Sequence, residues 1–195
     1  MSWLAVAIAA GPPLELQLGS HGLLEVRNVS FEQLNSSAAV LGSMLAAVRA
    51  GGLHLVGEPR MQQFPVMGVS GILLLSESHI SVHTWPEHGY AAIDLFTCGE
   101  PARPLCGLSG STAYFASSDA AWRCDDGAAA DAIGAGGLWA AAAAAVRELR
   151  AGAATYTVVD RGMPQLTRGR RERAKEASGF GWLGGLEAGD SQREL

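Results

Sequence analysis

Leu75-Ser76-Glu77-Ser78-His79-Ile80-Ser81-Val82-His83-Thr84-Trp85-Pro86-Glu87, followed by Ile93-Asp94-Leu95-Phe96-Thr97-Cys98-Gly99, is the stretch that decides the fold. Both runs alternate between apolar and polar side chains, the period of a strand with one packed face. Ser81 and His83 point one way and Val82 the other. Asp94, Phe96 and Cys98 share a face, and Ile93 and Leu95 take the opposite one. Gly68, Gly71, Pro86 and Gly89 divide residues 66–99 into separate strands. The expected product is a sheet with one apolar face and one chemically equipped face.

Outward from this core, the apolar runs Leu14 to Leu18 and Leu23 to Val29 suit a first strand or hairpin. Phe31, Leu34, Ala38, Leu41, Leu45 and Val48 recur at helical steps, so Ser30 to Ala50 reads as one helix. Ser30 stands at its N-cap, Gln33 at the capping-box position and Gly51-Gly52 at its stop. Leu53 to Val56 is a short strand, Leu138 to Arg150 an alanine-rich helix and Thr155 to Val159 a last strand. This order predicts an α+β two-layer sandwich, a mainly antiparallel sheet with helices on one face. Residues 1–162 form the expected domain. Residues 100–137, rich in Gly, Ala, Ser and Asp, read as an inserted, loosely ordered loop. Residues 163–195 read as a disordered tail carrying the basic patch Arg168 to Lys175.

The 195 residues can bury a core without staples. A net charge of −5 argues against a nucleic-acid partner, which usually meets a basic face. Three cysteines, Cys98, Cys106 and Cys124, give no disulfide framework and suit a reducing compartment. No run of apolar residues reaches membrane-spanning length. The apolar start, Met1 to Ala10, lacks the basic residues of an export signal, so a cytoplasmic protein is expected.

The Glu77-Ser78 pair has a distinct chemical possibility. A serine hydroxyl can attack the preceding carbonyl and convert the amide to an ester. β-Elimination then breaks the chain and leaves residue 78 as a dehydroalanine, which hydrolyses to a pyruvoyl group. The peptide must be strained or polarised for this, and a base must remove the α-proton. On the dipeptide alone, an ordinary strand-end serine is the better reading. His83, in a strand or turn across from Ser78, carries an imidazole of the kind that suits proton transfer, although a lone strand histidine is usually structural. A thiol at Cys98 can donate a proton to a carbanion, although most free cysteines are small buried hydrophobes. Cys106 and Cys124 lie outside any motif and read as such hydrophobes. Phe64 and Trp85 offer faces for an adenine or a sulfonium, against the commoner role of core packing. Glu87 could accept from ribose hydroxyls or be a solvated carboxylate. His79, His83 and Glu87, spaced by four, could ligate zinc on a helix. Pro86 and the β-branched Ile80, Val82 and Thr84 disfavour that helix, and no metal is expected.

The string Glu-Ser-His-Ile-Ser-Val-His-Thr-Trp-Pro-Glu at 77–87, with Asp-Leu-Phe-Thr-Cys-Gly at 94–99, resembles the processing and catalytic segment of the bacterial-type S-adenosylmethionine decarboxylases. The likeness is strong from about Phe64 to Gly99 and diffuse but collinear elsewhere. It implies cleavage between Glu77 and Ser78, with Ser78 becoming the pyruvoyl cofactor that forms a Schiff base with the substrate amine. It also implies that Ser70 and His83 assist processing and that Cys98 is the catalytic proton donor. Phe64, Trp85 and Glu87 would contact the nucleoside of S-adenosylmethionine. Loss of CO2 would yield the aminopropyl donor for spermidine, and the protein would be a homodimer with sites at the protomer interface. Two rival readings keep parts of this picture. A pyruvoyl-dependent ornithine or arginine decarboxylase should relax the nucleoside contacts, and a non-catalytic partner subunit should have lost Ser78 or Cys98.

Overall fold

The computed structural model describes residues 14–98, 106, 112–124 and 136–164. Its elements in chain order are β1 (Leu14–Arg27), α1 (Phe31–Leu34), α2 (Ser37–Ala50), β2 (Arg60–Gln63), β3 (Val69–Leu75), β4 (Ser78–Trp85), β5 (Tyr90–Cys98), β6 (Thr112–Ala116), β7 (Ala121–Cys124), α3 (Gly136–Glu148) and β8 (Ala153–Pro164). The eight strands form one sheet in the order β2-β3-β4-β5-β1-β8-β6-β7. β3, β4 and β5 are successive antiparallel neighbours, and β5 also pairs antiparallel with β1. One compact unit spans Leu16–Met163. A second, Met1–Glu15 with Pro164–Leu195, is described only at the strand ends it contributes. The expected tail, 163–195, lies outside the described residues apart from the end of β8.

The alternation read in the sequence carries through to burial. Val69, Leu73, Ile80, Val82, Ile93, Leu95, Leu24 and Val26 are buried on one face, and the core joins them to Val40, Met44 and Val48 of α2 and to Leu138 and Val146 of α3. Each fully buried aliphatic side chain contributes about 1.5–3 kcal/mol. The alanine run of α3 serves packing, since Ala141, Ala142, Ala144 and Ala145 are all buried and let the helix come close. Gly22 in β1 makes room for Tyr156, whose ring atoms would lie 2.9 Å from a Cβ placed there. Among the described residues, the other face of the sheet carries no helix. It presents Ser70, Ile72, Ser81, His83, Trp85, Asp94 and Phe96, with Ile72, Leu74 and Trp85 exposed. This is the expected α+β sandwich with helices on one side.

Five local expectations need correction. The helix over 30–50 is broken at Asn35 into α1 and α2, because two serines each cap a start: Ser30 Oγ accepts from Gln33 N–H at 3.3 Å and Ser36 Oγ from Ala39 N–H at 3.2 Å. Gln33 does not close a capping box but donates to the Glu148 carbonyl at 3.0 Å. Leu53 to Val56 is an extended segment with a single bridge, Leu55 to Leu75, rather than a strand. Part of the expected loop, 100–137, is a hairpin: β6 and β7 extend the sheet beyond β8. Phe115 and Trp122 stack at 5.3 Å, and Trp122 meets Trp139 of α3 edge-on at 4.8 Å. Cys106 and Cys124 are disulfide-bonded rather than free. The hairpin brings them together from 18 residues apart, a proximity that spacing alone did not reveal. No helix among the described residues is long and apolar enough to cross a membrane.

Candidate active site

The β3–β4 hairpin turns at Ser76 and Glu77, with Leu75 paired to Ser78. Ser78 has φ 153°, a conformation that residues with side chains avoid and that costs on the order of 1–3 kcal/mol. Neighbouring groups hold this turn. Cys98, at the end of β5, donates its backbone N–H to the Glu77 carbonyl at 2.8 Å. Ser76 N–H donates to the His54 carbonyl at 2.9 Å. His54 donates its own N–H to the Glu77 carboxylate at 3.1 Å, and its Nδ1 lies 2.6 Å from the other carboxylate oxygen. That ring contact leads the causes holding the Glu77 carboxyl below its usual range. Ser78 Oγ lies 3.1 Å from His79 Nδ1. Ser78, Glu77 and the exposed Cys98 thus gather at one end of the strands. Sequence reasoning missed His54 and gave His79 no role in this group. His54 belongs to no motif and reaches Glu77 only through tertiary folding.

The other end of the same hairpin holds a second group. Ser70 and His83 are directly opposed in the ladder, with Oγ and Nδ1 2.7 Å apart. Beside them, Phe64, Trp85 and Glu87 line a 340 Å³ cleft together with Ser70 and His83. The loop carrying Phe64 is pinned from two sides. Asn35 Oδ1 accepts Gly68 N–H at 2.9 Å, and Phe64 N–H donates to Gly68 carbonyl at 3.0 Å. Gly68 has φ 92°, and a Cβ there would sit 2.9 Å from the Thr84 carbonyl, so only glycine fits. Trp85 stacks on Tyr90 at 5.2 Å. The Tyr90 hydroxyl donates to Glu25, and burial first, then that carboxylate, pushes its pKa up to about 12.

Between the two groups lies a polar chain on the open face. Ser81 Oγ donates to Asp94 at 3.3 Å, His21 Nε2 lies 3.4 Å from the same carboxylate, and Arg161 donates to His21 Nδ1 at 3.1 Å. The Arg161 guanidinium sits over the Phe96 ring at 5.6 Å. Among the described residues no cluster of three His, Cys, Asp or Glu is placed to hold a metal ion.

One sequence expectation fails in a useful way. His83 does not lie across from Ser78 but on the same strand, paired to Ser70 and Ala92. Five residues of extended chain separate Ser78 from His83 by roughly 16 Å. The predicted site residues therefore form two half-sites: Glu77, Ser78 and Cys98 at one end, and Ser70, His83, Phe64, Trp85 and Glu87 at the other.

A family model described as S-adenosylmethionine decarboxylase matches residues 20–123 of the 195. The chain belongs to the S-adenosylmethionine decarboxylase family. A protein of Moorella thermoacetica named S-adenosylmethionine decarboxylase proenzyme is 43% identical over 102 residues, covering 52% of this chain and 81% of its own length. A protein of Methanococcus maripaludis with the same name is 44% identical over 88 residues, covering 45% of this chain and 71% of its own. The crystal structure of the adenosylmethionine decarboxylase from Aquifex aeolicus shares the fold, with a TM-score of 0.54 at 24% identity over 77% of this chain and 96% of that one. The family match takes in both half-sites and reaches into the β6–β7 hairpin.

Proposed function

We propose that this chain is a proenzyme that cuts itself between Glu77 and Ser78 and then decarboxylates S-adenosylmethionine, supplying the aminopropyl donor for spermidine. The observation that carries the reading is the Cys98 N–H on the Glu77 carbonyl at 2.8 Å, next to a serine held at φ 153°. In the first step Ser78 Oγ bonds to the Glu77 carbonyl carbon while the C–N bond breaks, freeing the Ser78 amine. A donor already aimed at that carbonyl oxygen stabilises the charge it gains. In the second step a base takes the Ser78 α-proton, the Cβ–O bond breaks and Glu77 leaves as a carboxylate. The resulting dehydroalanine tautomerises to an imine, which takes up water and releases ammonia.

The new pyruvoyl carbonyl supplies an electron sink for the substrate amine. The rest of the work falls to side chains. Phe64 and Trp85 offer aromatic faces to the adenine and the sulfonium, and Glu87 accepts from the ribose hydroxyls. The Cys98 thiol, exposed beside residue 78, delivers a proton to the carbon that loses CO2.

The reading requires a second copy. Ser70 on β3 and His83 on β4 stand too far along the hairpin to serve the Ser78 of their own chain. The face that carries no helix among the described residues, with Ile72, Leu74 and Trp85 exposed, suits packing against a second copy of itself. Opposed strand directions across that contact would bring each chain's Ser70–His83 pair to the other chain's Ser78.

Intact mass spectrometry of the purified protein, with a CO2-release assay, tests this. The expected result is two fragments split after Glu77, the second beginning with a pyruvoyl group, and CO2 release from S-adenosylmethionine. A single uncut mass would overturn self-processing, and release only from ornithine or arginine would overturn the substrate.

A further inference from the structure

We propose that His54 is a positioning residue for self-cleavage, fixing the rotation of the peptide unit that Ser78 attacks by holding the Glu77 side chain; this rests on the processing reading above.

Three polar groups of His54 meet the β3–β4 turn. Its carbonyl accepts from Ser76 N–H at 2.9 Å, its N–H donates to the Glu77 carboxylate at 3.1 Å, and its Nδ1 lies 2.6 Å from the second carboxylate oxygen. The segment bearing it is itself tied down on both sides. Leu53 N–H donates to the Val48 carbonyl at 3.0 Å and Val56 N–H to the Leu74 carbonyl at 2.8 Å. The His54 ring is 76% exposed, whereas the Glu77 side chain is 25% exposed. An exposed ring adds little to the core, so the contact is placed to act on Glu77.

The chemistry explains why such a hold matters. The Ser78 oxygen must approach the Glu77 carbonyl carbon from above the peptide plane, and a two-residue turn is free to rotate that plane away. Glu77 is anchored on both sides of its Cα: the carbonyl by Cys98 N–H and the carboxylate by His54. Removing one anchor leaves the other as a pivot and lowers the fraction of chains in attack geometry. The hydrogen bond from His54 also keeps the carboxylate ionised, and hence a strong acceptor. The effect belongs to the acyl shift and not to the later elimination, whose reacting atoms lie on residue 78.

The test follows cleavage of freshly translated full-length chain by intact mass, with and without hydroxylamine, which cuts an ester but not an amide. For H54A we expect cleavage at the same bond about tenfold slower, the loss of one charge-assisted hydrogen bond. The uncut chain should resist hydroxylamine, H54Q should recover much of the rate, and the processed fraction should turn over normally. The double variant H54A/E77A should be no slower than the slower single variant. An H54A chain cut at the wild-type rate, an accumulating hydroxylamine-sensitive ester, or additive losses in the double variant would each overturn the proposal. Should H54A not fold, E77A in the intact His54 background must show the same slow, hydroxylamine-resistant phase, and a wild-type rate there overturns it too. If the wild type itself is not cut after Glu77, the processing reading fails first.

Discussion

Ser70 Oγ and His83 Nδ1 lie 2.7 Å apart across the β3–β4 ladder, at the end of the hairpin remote from Ser78. A hydroxyl and an imidazole so joined can pass a proton, but not to a serine roughly 16 Å along the same strand. If two copies complete each other's sites, the lesions should complement. His83→Ala alone should stay largely uncut, and Ser78→Ala should stay wholly uncut. When the two are produced together, the His83→Ala chain should be cut, because its Ser78 meets the intact His83 of the other copy. Mass spectra of distinguishably tagged chains read this directly. Absence of rescue in a verified mixed dimer would place each site within one chain.

In the proposed reaction Cys98 would serve the two stages through different atoms. Its backbone N–H holds the Glu77 carbonyl, while its thiol is exposed. Cys98→Ala keeps the first and loses the second. Processing should therefore go on near the wild-type rate, and decarboxylation should fall by about 10²-fold or more, the usual size of a general-acid contribution. A variant that turned over fully would remove the thiol from catalysis, and one that stayed uncut would move it into processing.

The disulfide closes a loop of 18 residues around the β6 start and the β6–β7 turn. Loop-closure entropy alone puts its contribution at about 3 kcal/mol. Cys124→Ser should lower the denaturant midpoint accordingly, with little change in the rate of self-cleavage, because the hairpin pairs with β8 at the far side of the sheet from β3 and β4. Loss of processing in that variant would tie the hairpin to the site.

Legibility followed physical range. The faces of β4 and β5 were readable because alternation is local, and burial of Val82, Ile93 and Leu95 follows from it. Ser78 and Cys98 stand out in the sequence because both lie in one continuous motif. The break at Asn35 was not: two serine caps compete with a continuous apolar stripe, and both win their own turn. The hairpin at 112–124 was obscured by small residues with little periodicity. His54 escaped because its partner is 23 residues away and the contact exists only once β3 and β4 have paired. The division into half-sites was equally hidden, since closeness in sequence between Ser78 and His83 suggests closeness in space, which an extended strand denies.

Gly68 offers a test of how the cleft is built. At φ 92° an alanine would be strained, and its Cβ would press on the Thr84 carbonyl at 2.9 Å. That carbonyl belongs to β4, next to Trp85, and Gly68 also donates to Asn35 and accepts from Phe64. Gly68→Ala should cost about 1–3 kcal/mol and disturb Phe64 and Trp85 together. Once processed, the variant should show a raised KM for S-adenosylmethionine with a smaller change in kcat, since Cys98 and residue 78 sit at the other end of the strands.

Tyr90 stands behind Trp85 and gives a prediction with a definite pH direction. Its pKa, pushed up to about 12 by burial and by Glu25, lies above the ordinary value of 10.0. The folded state therefore holds the proton more tightly than the unfolded one. The stability this provides is fully present below about pH 10 and is lost as pH rises towards about 12. The tyrosinate absorbance of the wild type minus that of Tyr90→Phe should reveal a group titrating near the upper figure. The variant should lose less stability than the wild type over that interval. It should also raise KM, because Glu25 loses its donor and Trp85 keeps a stacking partner no longer anchored through its hydroxyl. A difference curve centred on the ordinary tyrosine value would mean that the Tyr90–Glu25 bond does not hold in solution.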